Sequence, residues 1–521
     1  MKTDRNAKTT DTQISTSPSV RISVQDFGPI ANGTINLRPM TVFVGPSNTG
    51  KTYFATLIYA LQKILHDFSL TQVMYRHHYR MTRKLEDVAT TVAEIERWEA
   101  TLLDIVDIMD YSDRRFMFRD LPRIVRDRWQ VALTDHHLLG NSLADELCRC
   151  FGLRSVSQLI RMASASDSAA ISLDVGEGDC SFWDFKMNIS DSGLSVEGEI
   201  RDMTLFRDSD EPFYDARHRG IDELRNLIDE AVDQFFDKLL LNAYIYHEKI
   251  SPHYLPAARV GIIQSHRVLS GLYAEHAVRA GLGPLPVVPT FPGVLADFIE
   301  DFFAVEFHDA DDDQIARIAD RFESEMLDGH LLVAPIGGDG GRVWHYRPRE
   351  TDKEIPLDYA SSMVSELAAL ALFLRRTVRS GDTIIIEEPE AHLHPAAQTE
   401  MAKTLGRLVR AGVRVVVTTH SDWLLKEIGN LVREGELKEK TGEPDSDELL
   451  PSSLLPSDVG VWQFRKDGTS NGATVQEIPY DRIEGVEPEE YEYVSEELYN
   501  RSADLQNQLA ETADGTKYEH E

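Results

Sequence analysis

Cysteine is scarce in this 521-residue chain, and apolar runs of membrane length are missing. Its three cysteines, Cys148, Cys150 and Cys180, are too few and odd in number for a disulfide framework or a four-ligand zinc site, so free intracellular thiols are expected. No apolar stretch approaches the roughly 20 residues that span a bilayer. Residues 1–19, polar and rich in Thr and Ser, lack the apolar segment of a signal peptide. A cytoplasmic protein without a membrane partner is the expectation.

Positive charge is also in deficit, with 54 Lys plus Arg against 87 Asp plus Glu and a formal net charge of -33. That balance ordinarily disfavours nucleic acid or an anionic membrane as partner. Lysine itself is rare, supplying only 15 of the 54 cations. Excess carboxylate with depleted lysine keeps a protein hydrated in multimolar salt, where the Debye length shrinks to about 3 Å or less. A salt-adapted, halophilic cytosol is therefore the competing explanation, and the acidity then describes the solvent rather than the partner. What is not lacking is core material: 42% of residues are hydrophobic, enough for two to four domains or one large core with insertions.

Hydrophobic periodicity predicts the organisation. After a disordered leader (1–19), strands begin at Val20, around Ile35 and over 40–44, followed by a Gly-rich turn and a helix over 53–62. Residues 63–163 read as a helical insertion, within which Leu85, Val88, Val92, Ile95, Leu102, Val106 and Met109 occupy heptad positions, as in a short coiled-coil arm or a bundled amphipathic helix. Residues 164–210 alternate like a small antiparallel sheet, with Gly198 placed as a bulge would be. The stretch 211–360 returns through a helix (219–243), a strand ending at Tyr254 and a Gly-rich hairpin. Residues 361–432 alternate helix and strand, and apolar runs such as Ile384-Ile385-Ile386 suit strands buried on both faces of a parallel sheet. An acidic linker (433–457) and a hairpin with a terminal helix (458–521) complete the expected order.

The sharpest motif is Gly45-Pro46-Ser47-Asn48-Thr49-Gly50-Lys51-Thr52, a G-x-x-x-x-G-K-[ST] loop set between a predicted strand and a predicted helix. Glycines let backbone N–H groups turn inward around phosphates, and the helix N-terminus adds its positive end. Lys51 is expected to neutralise β- and γ-phosphates and Thr52 to ligate Mg²⁺. A second strand ends in Glu387-Glu388-Pro389-Glu390, where Glu387 would hold the Mg²⁺ shell and Glu388 would deprotonate the attacking water. A third ends at His420-Ser421-Asp422. In a parallel sheet, ligands bind at the carboxyl ends of strands, which would gather Gly45, Glu387 and His420.

These three segments, 42–52, 383–395 and 415–425, resemble the P-loop, Walker B with D-loop, and switch-histidine segments of ABC-type ATPases of the SMC, RecF and OLD class. More narrowly, Glu387-Glu388-Pro389-Glu390-Ala391-His392-Leu393-His394-Pro395 is similar to AAA-family ATPases labelled as abortive-infection proteins. The resemblance runs from Ile22 to about Leu431. It implies an α/β P-loop NTPase fold, an ABC-type head with a parallel-rich central sheet carrying a large helical and a small β insertion. It further implies ATP and Mg²⁺ as cofactors, and a homodimer in which two heads sandwich two nucleotides.

In that arrangement Ser361 is the signature serine that reaches the partner head's γ-phosphate, although Met363 stands where the pattern usually has Gly. Glu387 replaces the usual Asp. Tyr254-Leu255-Pro256-Ala257-Ala258-Arg259 looks like the Gln-loop strand end without its Gln, leaving Arg259 to face phosphate or to form a structural salt bridge.

Two Arg-rich, aromatic-bearing clusters, 75–84 and 114–129, could contact DNA or RNA or form a salt-bridged helical surface. The pairs His77-His78, His136-His137 and His392 with His394 lack metal-ligand spacing. About 100 residues follow His420, too few for the nuclease domain that OLD proteins append, so a nuclease or toxin effector would be a separate subunit. The resemblance points to phage defence; a RecF-type repair ATPase and a non-hydrolysing, nucleotide-locked module remain as alternatives.

Overall fold

The computed structural model describes residues 19–67, 139–162, 167–177, 180–200, 251–265, 291–304, 313–335, 342–442, 450–466, 472–483, 485–486 and 489–515, with short pieces at 116–117, 204–205, 268 and 271. The heptads of 85–109, both Arg-rich clusters, the predicted helix over 219–243, and the His77-His78 and His136-His137 pairs lie outside the described residues, apart from the pair Phe116–Met117.

In chain order the elements are β1 (Ser19–Phe27), β2 (Ile30–Leu37), β3 (Met40–Val44), α1 (Lys51–Asp67), α2 (Leu139–Phe151), β4 (Ala169–Glu177), β5 (Cys180–Ser190), β6 (Gly193–Ile200) and β7 (Pro252–Leu255). There follow α3 (Gly293–Ala304), α4 (Asp313–Phe322), β8 (Gly329–Pro335), β9 (Arg342–Pro348), β10 (Ile355–Pro356), α5 (Ser362–Arg376), β11 (Thr383–Glu387) and α6 (Pro395–Arg410). The last are β12 (Arg414–Thr418), α7 (Asp422–Thr441), β13 (Val459–Lys466), β14 (Ala473–Ile478) and α8 (Glu489–Gly515).

One 11-stranded sheet organises the head, in the order β6-β5-β4-β1-β2-β14-β13-β3-β12-β11-β7. From β13 through β3, β12 and β11 to β7 every neighbouring pair is parallel, whereas β2-β1-β4-β5-β6 is an antiparallel meander. The chain thus has the α/β P-loop NTPase fold that the motifs imply, with the parallel half carrying the P-loop.

The apolar runs of the central strands follow from burial on both faces. Val42, Val44, Ile384, Ile386, Val415 and Val417 point into one core, packed by helices α3 to α7. Phe43, Ile385 and Val416 point into the other, which α1 and α2 cover. Because alternate residues serve opposite cores, neither face can be polar and period-2 alternation disappears. On the meander it reappears: β1 reads exposed-buried along Ser19 to Val24, as a one-sided sheet requires.

Four expectations need correction. The strands of 164–210 are antiparallel as expected, but they do not form a separate small sheet. β4 pairs along β1 from Ser19↔Gly176 to Gln25↔Ala170, which satisfies most of the backbone edge that β1 would otherwise expose. Gly198 is not a bulge, since it pairs in register with Phe185 and a Cβ there would lie 2.8 Å from the Phe185 ring; the register shift falls at Val175/Gly176 instead. The linker expected over 433–457 is helical up to Thr441, where Gly442, in the left-handed region, ends α7. Its charges misled the reading: Leu431 and Val432 are buried and Glu434 pairs with Lys438 one turn on, so this is an amphipathic helix with a solvated face. Finally, the hairpin of 458–521 is part of the head. β13 pairs with β3 from Val459↔Met40 to Gln463↔Val44, so the head does not end at residue 432.

Candidate nucleotide site

β3 feeds the loop 45–50 into α1 with no intervening residue between Gly50 and the first helical position, Lys51. Gly45 has φ +129°, and a Cβ there would overlap the carbonyl oxygen of Phe464 on β13, so only glycine lets the chain leave the sheet at this angle. Asn48 adopts φ +61°, one of the few non-Gly residues suited to that region. Thr49 closes the loop by donating its hydroxyl to the Pro46 carbonyl at 2.8 Å. Lys51, only 7% exposed, donates Nζ to the carbonyls of Gly45 (2.6 Å) and Pro46 (2.9 Å). The loop tip Pro46-Ser47-Asn48 and Thr52 are exposed.

Register then brings the other two strand ends alongside. Phe43 of β3 is opposite Thr418 of β12, and Thr418 is opposite Glu387 of β11, so all three strands end on one edge. Thr419 fastens the row by donating its amide to the Phe43 carbonyl at 2.9 Å. His420, exposed just beyond β12, is held below the usual imidazole range by burial and then by the positive charge of Lys51, with Glu388 opposing. Lys51, His420 and Glu388 therefore share one electrostatic neighbourhood, at the strand edge where the sequence places Gly45, Glu387 and His420.

Glu387 is buried, and its oxygens accept from the Tyr254 hydroxyl (2.5 Å) and the Ala257 amide (2.9 Å). Tyr254 in turn lies 3.4 Å from the Thr56 hydroxyl on α1, and burial together with Glu387 pushes its phenol well above the usual range. Glu388, half-buried, has φ +45°, a left-handed conformation that costs a non-glycine residue on the order of 1 kcal/mol. The turn is pinned by the Glu388 amide, which donates to the Thr418 carbonyl at 2.9 Å.

Of the two roles left open for Arg259, its observed contacts are those of a buried strut. The side chain is 2% exposed, forms an ion pair with Glu366 of α5, and donates to the carbonyls of Pro256 (3.0 Å), Glu387 (2.6 Å) and Glu388 (3.1 Å). Burial pushes the Glu366 carboxyl up to about 7 against the pull of Arg259. Ser361 caps α5, accepting from the Val364 amide at 3.3 Å, and is exposed. Met363 packs half-buried against the core that lines the other side of that helix. Arg259 thus ties the turn after β11 to the helix that Ser361 begins.

Several neighbouring residues have contacts that the sequence did not assign. Glu390 accepts from the Thr419 hydroxyl and the His420 amide, both at 2.7 Å, and Gln398 accepts from the Ser421 hydroxyl at 2.5 Å. His394 caps α6 by accepting from the Ala396 amide at 3.3 Å, and His392 sits at φ +60° in the turn before it. Cys148 and Cys150 are free thiols, and Cys150 is buried against Glu146. No helix among the described residues is long and apolar enough to cross a membrane.

Residues 295–425 match the family described as AAA ATPase domain, a span that holds Ser361, Glu387, Glu388 and His420 and leaves the P-loop outside it. Among solved structures, an Smc head bound to the C-terminal winged-helix domain of ScpA is similar at 10% identity, covering 88% of this chain and 97% of that one, with a TM-score of 0.41. An Smc head with an extended coiled coil, bound to a ScpA domain derived from Pyrococcus furiosus, gives 11% identity over 92% and 100% of the two chains and a TM-score of 0.39. The SMC head domain from Thermotoga maritima gives 9% identity over 89% and 99%, with a TM-score of 0.34. No curated protein matches the chain. The chain is thus similar, over residues 295–425, to an AAA ATPase domain, to which residues 45–52 add the P-loop.

Proposed function

We propose that this chain is an Mg²⁺-dependent ATPase head that closes as a homodimer around ATP. The observation that carries the reading is the common edge of β3, β12 and β11, which brings Lys51, His420 and Glu388 within electrostatic reach of one another. The amides of 45–50 and the α1 N-terminus cradle the phosphates, and Lys51 exchanges its carbonyl partners for phosphate oxygens. Thr52 and Glu387 offer hydroxyl and carboxylate oxygens, the hard donors that suit Mg²⁺, which when bound neutralises charge on the phosphates. Glu388 accepts the proton of the attacking water, and His420 contacts the γ-phosphate through a largely neutral ring. Ser361, exposed at the start of α5, completes the site of the partner head.

The cycle would drive a separate effector, a nuclease or toxin subunit, in phage defence or nucleic-acid surveillance. Those roles rest on the resemblance to abortive-infection ATPases and on no feature of the site. Purified protein should bind ATP and release phosphate steadily, and Lys51→Ala should abolish both. Binding without release would favour the non-hydrolysing module, and turnover that rises severalfold with DNA ends or gaps would favour the RecF-type reading.

A further inference from the structure

Glu390 lies in the turn after β11 and makes its bonds to the residues that follow the neighbouring strand, β12. Its Oε1 accepts two hydrogen bonds at 2.7 Å, one from the Thr419 hydroxyl and one from the His420 backbone amide. Oε2 is buried and has no hydrogen-bond partner among the described residues. A buried carboxyl with one oxygen unpaired is costly, so a merely structural element would gain from replacing it. What the position offers in return is a fixed acceptor facing the switch loop.

The loop has a second anchor. The Thr419 hydroxyl that donates to Glu390 accepts from the Ser421 amide at 2.9 Å. The Ser421 hydroxyl donates to Gln398 at 2.5 Å, and Gln398 donates to the Leu393 carbonyl at 2.9 Å. The chain of bonds runs from the turn after β11 to residues 419–421 and back to the start of α6. Among the described residues the His420 ring has no comparable bond to hold it, so its aim depends on its backbone.

We infer that Glu390 is a positioning residue for His420, setting the place of the ring through the His420 amide. The inference rests on the proposed ATPase reading for its kinetic consequence but not for the contact itself. Misplacing a catalytic group by about 1 Å costs up to about 10²-fold in rate.

The test uses the full chain in four variants, Glu390→Ala, Glu390→Gln, His420→Ala and the combination of Glu390→Ala with His420→Ala. In Glu390→Ala, hydrogen exchange at the amides of 419–421 should accelerate at least about tenfold, while kcat falls about 10–100-fold and the half-saturating ATP concentration moves less than about threefold. Glu390→Gln keeps an oxygen at the Oε1 position and should rescue both amide protection and most of the lost rate. The double variant should be no slower than His420→Ala alone, because one residue acts through the other. Unchanged exchange at His420 in Glu390→Ala, or losses that multiply in the double variant, would overturn the inference. Should the wild-type chain turn over no ATP, the ATPase reading fails by itself, and the exchange measurement still decides whether Glu390 holds His420.

Discussion

The Tyr254 hydroxyl donates to a carboxylate oxygen of Glu387 at 2.5 Å, joining the end of β7 to the end of β11. Residues 133 apart in the chain are thereby coupled at the strand edge where the metal shell is expected. Tyr254→Phe removes that donor and leaves a buried carboxylate oxygen short of a partner, a loss of about 1–3 kcal/mol in a denaturant titration. The same variant frees a Glu387 oxygen from its hydrogen bond to bind the metal, so the Mg²⁺ concentration giving half-maximal turnover should fall. An unchanged denaturation midpoint and an unchanged Mg²⁺ dependence would remove Tyr254 from the site.

Arg259 and Glu366 form a buried pair, both 2% exposed. Arg259→Ala strands the Glu366 carboxylate and frees the carbonyls of Glu387 and Glu388, so it should cost about 3–5 kcal/mol. Replacing both residues with Met or Leu should recover much of that stability without restoring activity, because the turn after β11 still lacks its guanidinium. Recovery of turnover in the double variant would show that the pair only fills space.

His253 titrates the fold rather than the site. Its Nδ1 lies 3.5 Å from Asp301 and its Nε2 3.4 Å from Asp382. Burial opposes protonation, but hydrogen bonds to the two carboxylates and their charge outweigh it and carry the imidazole from 6.5 up to about 9. A folded value above the unfolded one means that this stabilisation is complete below about 6.5 and is lost as pH rises through about 9, roughly 3 kcal/mol in all. Chemical denaturation from pH 6 to 9.5 should show that decline, and His253→Gln should flatten it. A wild-type curve no steeper than the variant's would contradict the assignment.

The net charge of -33 supports an expectation about solvent. Screening of carboxylate repulsion should raise the thermal midpoint by several degrees or more between 0.1 M and 3 M KCl. A chain equally stable in dilute buffer would not be salt-adapted.

Much of the site was legible in the chain because P-loop chemistry is local: a turn that needs glycine, a lysine after it, and acids at a strand end. The parallel strands were legible too, since two-sided burial leaves uninterrupted apolar runs such as Ile384-Ile385-Ile386. What escaped depends on long-range pairing. Nothing around Val459 signals that β13 will lie beside β3, and nothing around Ala169 signals that β4 will extend the sheet across β1. Arg259 was ambiguous for the same reason, as its partner Glu366 is more than a hundred residues away. The charged end of α7 read as linker because the close packing of Gly435 against the Leu454 backbone is a tertiary fact.

The most direct test of the central claim is steady-state phosphate release by Glu388→Gln beside wild type, assayed in Mg²⁺-ATP at high KCl. The expected result is retained ATP binding, a dimer trapped by ATP on size-exclusion chromatography, and turnover reduced by about 10² to 10⁴. Undiminished phosphate release by Glu388→Gln would contradict the assignment of Glu388 as the base, and with it the proposed mechanism.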